Sequence, residues 1–425
     1  MNKIVCCLRE DLPRVLNDET RYFVLYSRPV GNSRIGNIAP ELLREIKRQE
    51  LSPSVQIMDF VTFAFSVVAA DHAVLRNQSA DGWTRSIELH VHLQAPEIWK
   101  EEKQKIEFTL RFLTGDFWDL HFHESSSIVF PAIREGHALS QGDSVCLLSG
   151  GMDSLVGAID LVSQSRMPIF VSQISRGSSE AQYAFACAMG AQNRFSQWGG
   201  VINCPGDTEP STRARSILFF AFALLVLSHV DIKQERKIEV FVPENGFISL
   251  NIPLSPLREG SLSTKTTQPV YLSGIQELWN ALGIEAELKQ PYRFFTKGEM
   301  LKNCLDQELL KKLINASVSC GKYGRHALTH CGTCVPCLVR RAAYLHAEIE
   351  DGTQKGYCVN DLKTASSQDV QAVAYSYLRA RNDGSESLTY GKLPKTSTEE
   401  RTQYLDVFTR GLNELGFLLE RFGVV

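Results

Sequence analysis

Apolar and polar positions follow two different rhythms along the chain, and the rhythm changes near residue 140. Before it, Tyr22–Tyr26, Gln56–Val68, Ser86–Leu93, Lys105–Leu113 and Trp118–His123 read as strands, several alternating apolar and polar side chains with period two. That alternation predicts an antiparallel sheet with one wet face. From about residue 142, short apolar runs at Val145–Leu148, Ile169–Ile174, Val201–Cys204 and Ile238–Val242 alternate with helical spacing at about 155–165, 179–195 and 211–229. A β-α-β-α succession predicts an α/β domain built on a doubly wound parallel sheet, with ligands gathered at the carboxyl ends of its strands. After residue 345 the spacing is helical again. Leu405, Phe408, Leu412, Leu415, Leu419 and Phe422 form a stripe for docking onto the chain's own body or onto a second subunit of a homodimer. The expected organisation is a β-rich N-terminal domain (1–140), an α/β domain (141–345) and a helical extension (346–425). The stretch 382–398, rich in Gly, Ser, Thr and Lys, reads as a loop beside the active-site edge.

Two local patterns carry chemistry. In the first, the strand ending at Leu148 feeds Ser149-Gly150-Gly151-Met152-Asp153-Ser154, and a helical pattern follows at once. The glycines let backbone N–H groups approach an anion, Ser149 and Ser154 add hydroxyls, and the helix N-terminus adds a favourable dipole. Phosphate is the expected guest. The pattern GxxxxGK[ST] occurs nowhere in the chain, so this is not the usual ATPase loop. Asp153 is costly beside phosphate unless it holds Mg²⁺ or orients the loop. The plain alternative is a glycine turn with an Asp/Ser cap.

The second pattern is Cys320-x10-Cys331-x2-Cys334-x2-Cys337. Four thiolates at this spacing can close the shell of one structural Zn²⁺. An iron–sulfur cluster or a set of free buried cysteines remains open at this point. The other seven of the eleven cysteines are scattered, mostly in apolar runs, and read as core. The pairs His90/His92 and His121/His123 each put two imidazoles on one face of a strand, where four could meet at a metal or simply face solvent.

Composition bounds the classes. At 425 residues, 44% hydrophobic and 22% charged, the chain reads as an ordinary globular enzyme with room for two or three domains. A net charge of −3 offers no reason to expect a nucleic-acid polymer or a membrane surface as the main partner. Residues 1–11 already hold Arg9, Glu10 and Asp11, so a secretory leader is not expected and a cytoplasmic location is. The longest apolar run, Ile217–Leu227, reads as a buried helix.

Ser149-Gly150-Gly151-Met152-Asp153-Ser154 resembles the SGGxDS signature of the N-type ATP pyrophosphatase (PP-loop) family, and the cysteine pattern followed by Arg340 is similar to the zinc motif of its QueC-like (7-cyano-7-deazaguanine synthase-like) branch. The first cysteine spacer is slightly longer than usual there. The stretch from Pro243 to Leu254 resembles the ENG and NxPL loop of that branch, and Phe295-Thr296-Lys297-Gly298-Glu299-Met300 resembles the TKxE motif. The resemblance covers roughly residues 142–345. Long proteins of this layout occur in bacterial antiphage defence operons such as the Qat system, which this chain resembles in its added N-terminal region.

The resemblance implies a PP-loop fold, ATP and Mg²⁺ as cofactors beside structural Zn²⁺, and adenylation of the carboxylate of a deazapurine such as 7-carboxy-7-deazaguanine. Ser149, Gly150, Gly151, Met152 and Ser154 would hold phosphate, Asp153 would position Mg²⁺ or the loop, and Lys297 would face the leaving pyrophosphate. Arg213 and Arg215 are further phosphate candidates. Asn245, Phe247, Asn251, Arg258, Thr266 and Thr267, with the polar run from Ser263, are candidates for the base and its carboxylate. The acceptor would be ammonia or an amine of an operon partner protein docked by residues 1–140. A tRNA-thiolating PP-loop enzyme and an inactive nucleotide-binding scaffold are the rival readings.

Overall fold

The computed structural model describes residues 2–28, 31–32, 34–133, 136–231, 237–255 and 265–425. Two sheets face each other across two layers of helices. The first unit comprises β1 (Asn2–Cys7), β2 (Thr20–Leu25), β3 (Ile35–Ile38), α1 (Leu42–Arg48), α2 (Val55–Ala73), β4 (Ser86–Leu93), α3 (Glu97–Glu101), α4 (Lys103–Thr114) and β5 (Phe117–Glu124). The second runs through β6 (Ser144–Leu147), α5 (Met152–Ser163), β7 (Pro168–Gln173), α6 (Ser179–Ala188), β8 (Phe195–Trp198), β9 (Ile202–Asn203), α7 (Ile217–Leu225), β10 (Ile238–Phe241), α8 (Gly246–Leu250), α9 (Pro269–Ala281) and β11 (Ala286–Lys289). Then come α10 (Lys297–Lys302), α11 (Gln307–Leu313), α12 (Val335–His346), α13 (Gln368–Asp383), α14 (Glu386–Thr389) and α15 (Thr398–Arg421).

The second sheet has the order β11-β10-β6-β7-β8, all parallel. This is the expected doubly wound α/β arrangement, with its order reversing between β6 and β10. The first sheet corrects the antiparallel expectation. Its order is β5-β4-β1-β2-β3-β9, and β1 to β5 pair in parallel; only β9 runs against its neighbour. Both sheets therefore share one winding order. The alternation does separate a buried from a less buried face: on β4, Ile87, Leu89, Val91 and Leu93 are buried while Glu88, His90 and His92 are half-buried. One face is covered by α2 and α4, and these pack against α7 and α9 of the second sheet. A single apolar core, from Ile4 to Ala286, fills the space between the sheets.

Three further expectations are corrected. Gln56–Val68 lies in α2 and Lys105–Leu113 in α4. Helix α2 is apolar on all sides and buried on all sides, so it carries no amphipathic period and its Val, Phe and Thr content mimics a strand. It is long and apolar enough to cross a membrane, but 78% of that window is buried inside the fold, as in a core helix. In α4, Ile106, Leu110 and Leu113 keep helical spacing, and Gly115 ends the helix at φ +78°. Val201–Cys204 contributes β9 to the first sheet, while the strand next to β7 is Phe195–Trp198, which starts where the helix expected over about 179–195 ends. Among the scattered cysteines, Cys6, Cys7, Cys146 and Cys304 are buried as expected, whereas Cys187 and Cys358 are exposed.

The C-terminal stripe packs on the body. Phe408, Leu412, Leu415 and Leu419 of α15 join Phe247, Leu338 and Val373 in one cluster. The segment 382–398 includes α14, with Leu388 and Thr389 buried.

Candidate functional site

The crevice at the reversal of strand order, between the carboxyl ends of β6 and β10, is where a doubly wound sheet binds ligands. Here it holds a cavity of about 200 Å³ lined by Ser149, Gly151, Asp153, Ser154, Glu244 and Lys297, with Val318, Ser319 and Pro336 closing one side. The loop is shaped from within. Gly150 has φ +86°, a conformation that favours glycine, and a Cβ there would meet Ser178 and Gln182 at 3.2 Å. Ser154 Oγ accepts from Ser149 N at 3.2 Å and donates to the Gly151 carbonyl at 3.1 Å. Ser149 Oγ and Ser154 Oγ are 3.0 Å apart, and Gln182 donates to the Ser149 carbonyl. Gly151 caps α5 without a side-chain acceptor, which leaves the first N–H groups of the helix without a side-chain cap beside the cavity, as at helix ends that receive anions. Gly157, one turn on, lets α5 lie against Pro243 at the mouth of β10.

Four polar side chains converge below the loop. Lys297 Nζ is 3.0 Å from Asp153 Oδ1, and Asn245 Nδ2 donates to Asp153 Oδ2 at 2.8 Å. Burial pushes Asp153 up, but the Lys297 ammonium and hydrogen bonds from Glu244, Asn245 and Lys297 outweigh it, leaving the carboxyl below its usual value. Glu244 goes the other way. Burial and then the Asp153 charge hold its proton well above the ordinary range, and it hydrogen-bonds to Asp153. Two adjacent carboxyls beside the loop could hold a hard divalent cation once Glu244 gives up its proton. Lys297 is fixed by a capping box in which Thr296 Oγ1 accepts from Glu299 N and the Glu299 carboxylate accepts from Thr296 N.

The cysteines fold into one knot beside this cavity. Cys320 Sγ lies 3.9 Å from Cys334 Sγ and Cys331 Sγ lies 3.8 Å from Cys337 Sγ, all four buried. A tetrahedron with zinc–sulfur bonds of about 2.3 Å separates its sulfurs by about 3.8 Å, so the cluster could hold one zinc with no open position. Backbone N–H groups of Lys322 and Cys331 point at Cys320 Sγ, and that of Cys334 at Cys331 Sγ, each at 3.3 Å. Arg340, fully buried, ties this knot to the loop: it donates to the Ser317 carbonyl and hydroxyl, the Ile314 carbonyl, Thr353 and Tyr344. Val318, next along, donates its N–H to the Gly150 carbonyl at 2.9 Å.

The other candidates lie elsewhere or act differently. Arg213 belongs to a buried ion cluster between the two units: its N–H donates to Asp71, which also holds Arg85 with Asp116. Burial and then neighbouring Arg76 push its guanidinium down to about 10. Arg215 donates to the Ile174 carbonyl just past β7. Neither arginine lines the loop cavity. Met152 is among the residues that line the cavity and is at the same time fully buried in the core cluster behind the loop. Asn245 caps α8 as well as binding Asp153. Phe247 stacks on Phe408 at 5.6 Å within the core, and Asn251 ends α8 at φ +51°. Thr266 and Thr267 sit in a turn before α9, outside the cavity lining; Arg258, Ser263 and Thr264 lie outside the described residues. Pro243, Glu244, Ile248, Val318, Ser319, Pro336 and Val339 line the cavity without being individual candidates from the sequence; Glu244 carries a signal there, as the acid of the ENG triplet.

Compared with protein-family models, curated proteins and solved structures, the chain matches none of them.

Proposed function

We propose that the chain is an ATP-dependent carbon–nitrogen ligase of the QueC-like PP-loop kind, acting on the carboxylate of 7-carboxy-7-deazaguanine or a similar deazapurine within a bacterial antiphage defence system. The observation that carries the reading is the crevice itself, where a glycine-serine loop, a helix N-terminus, the Asp153–Glu244 pair and Lys297 meet in one cavity. Ser149, Ser154 and the first N–H groups of α5 would bind the β- and γ-phosphates. Asp153 and Glu244 would hold Mg²⁺, which supplies compensation for charge on the pyrophosphate. The substrate carboxylate oxygen then bonds to the α-phosphorus as the bond to the bridging oxygen breaks, and pyrophosphate departs against Lys297. An amine attacks the acyl carbon, AMP leaves with the bonding pair, and the amine gives up a proton. This sequence needs no side-chain nucleophile. The acceptor is ammonia or an amine on an operon partner protein.

The test is pyrophosphate exchange into ATP, with and without 7-carboxy-7-deazaguanine. The wild type should exchange only with the acid present, and Asp153→Asn or Ser149→Ala should reduce that exchange by on the order of 100-fold with circular dichroism unchanged. Full exchange in both variants, or none in the wild type, overturns the proposal.

A further inference from the structure

The half-open face of the first sheet carries a feature that the ligase reading does not use. Strands β4 and β5 pair in parallel with His90 beside His121 and His92 beside His123. The imidazoles form a column: ring centres are 4.4 Å apart for His90 and His121, 5.0 Å for His90 and His123, and 5.0 Å for His92 and His123. Glu88 and Asp119 stand on the same face, two residues before His90 and His121. Glu88 Oε1 is 2.8 Å from His90 Nε2 and 3.0 Å from Lys3 Nζ on β1. One ligand atom from each of Glu88, His90 and His121 falls within 4.8 Å of the others, and all three residues are half-buried.

We propose that Glu88, His90 and His121 form a second metal site, separate from the cysteine knot, that takes Zn²⁺ or a similar divalent transition ion. Two imidazole nitrogens and one carboxylate oxygen are the donor set of a borderline ion, and three protein ligands leave a position open to water or a small ligand. The donors sit on adjacent paired strands, so their spacing is set by the sheet and not by a loop. A supporting shell is present. His90 Nδ1 lies 2.8 Å from His123 Nε2, so when His90 Nε2 gives its lone pair to an ion, the proton on Nδ1 has an acceptor. Asp119 Oδ2 is 3.1 Å from His121 Nε2 and is itself held by Lys103 at 2.8 Å, which orients that ring. A face that merely met solvent would have no need to stack four imidazoles in register, since paired like groups repel whenever both carry charge.

The experiment is a titration of the metal-depleted, full-length protein with Co²⁺ and then Zn²⁺. Cobalt held by the cysteines gives intense thiolate charge-transfer absorption; the second site should add one equivalent with only weak visible bands. The double variant His90→Ala/His121→Ala should lose that second equivalent and keep the charge-transfer bands. Glu88→Gln, which leaves both rings in place, should weaken Zn²⁺ at this site by roughly 10-fold or more. Wild-type protein that takes up no equivalent beyond the thiolate-bound one at micromolar free metal overturns the proposal. So does a folded double variant, or Glu88→Gln protein, that binds like the wild type.

Discussion

Glu414 on α15 offers a test of how the C-terminal helix holds the proposed phosphate-facing lysine. Its carboxylate accepts from Gly298 N at 3.2 Å and from the Thr296 hydroxyl, so it grips the first turn of α10, where Lys297 stands. His346 Nδ1 is 3.5 Å away, and Glu299 and Arg410 add opposing charges. Burial pushes the carboxyl up to about 7 from 4.5, although the Thr296 and Gly298 hydrogen bonds pull it back. The sign follows from proton counting. Below 4.5 both folded and unfolded chains hold the proton. Between 4.5 and about 7 only the folded chain does, so unfolding releases a proton and stability falls as pH rises. Above about 7 the loss is complete. At about 1.4 kcal/mol per pH unit, this one group removes about 3 kcal/mol across the window. Glu414→Gln keeps the shape and cannot ionise, so the wild type should lose about 3 kcal/mol relative to the variant between pH 4.5 and 8. Urea unfolding at half-unit pH steps, followed by tryptophan fluorescence, measures both curves. Parallel curves, or a wild type that gains on the variant as pH rises, would refute the reasoning.

Cys334→Ser should lose zinc and several kcal/mol of stability, because ligand loss removes folding free energy as well as a bond; a soluble variant that keeps wild-type metal content and melting temperature contradicts a closed four-thiolate site. Gly157→Ala should destabilise by about 1–3 kcal/mol in urea, since the new methyl would lie 2.4 Å from Pro243 Cβ and 2.5 Å from its Cγ. The rigid ring cannot turn aside, so the clash outweighs the helix-propensity gain of about 1 kcal/mol. An equally or more stable variant would mean that α5 does not need its close seat on β10.

The glycine-serine loop, the cysteine spacing and the strand–helix steps at β6, β7 and β10 are legible in the sequence because each is local: a turn, a cysteine knot and a strand–helix step are specified by residues close in the chain. The stripe on α15 is legible for the same reason, since one helix face has a single period. Helix α2 is not legible, because burial on every side erases the contrast between faces that periodicity measures. The parallel pairing of the first sheet is decided by crossover connections, which alternation within a strand cannot report. Long-range order likewise decided the site. Residues 149, 244, 297 and 318 meet only because β6 and β10 are neighbours at the reversal of strand order, and Arg213 is drawn away from that edge by Asp71, 142 residues earlier. His90 and His121 could be listed from the sequence as pairs on strands; that they stand side by side with Glu88 depends on β4 and β5 being adjacent and in register. Residue type and spacing determine which groups are offered, and the winding of the two sheets determines which of them meet.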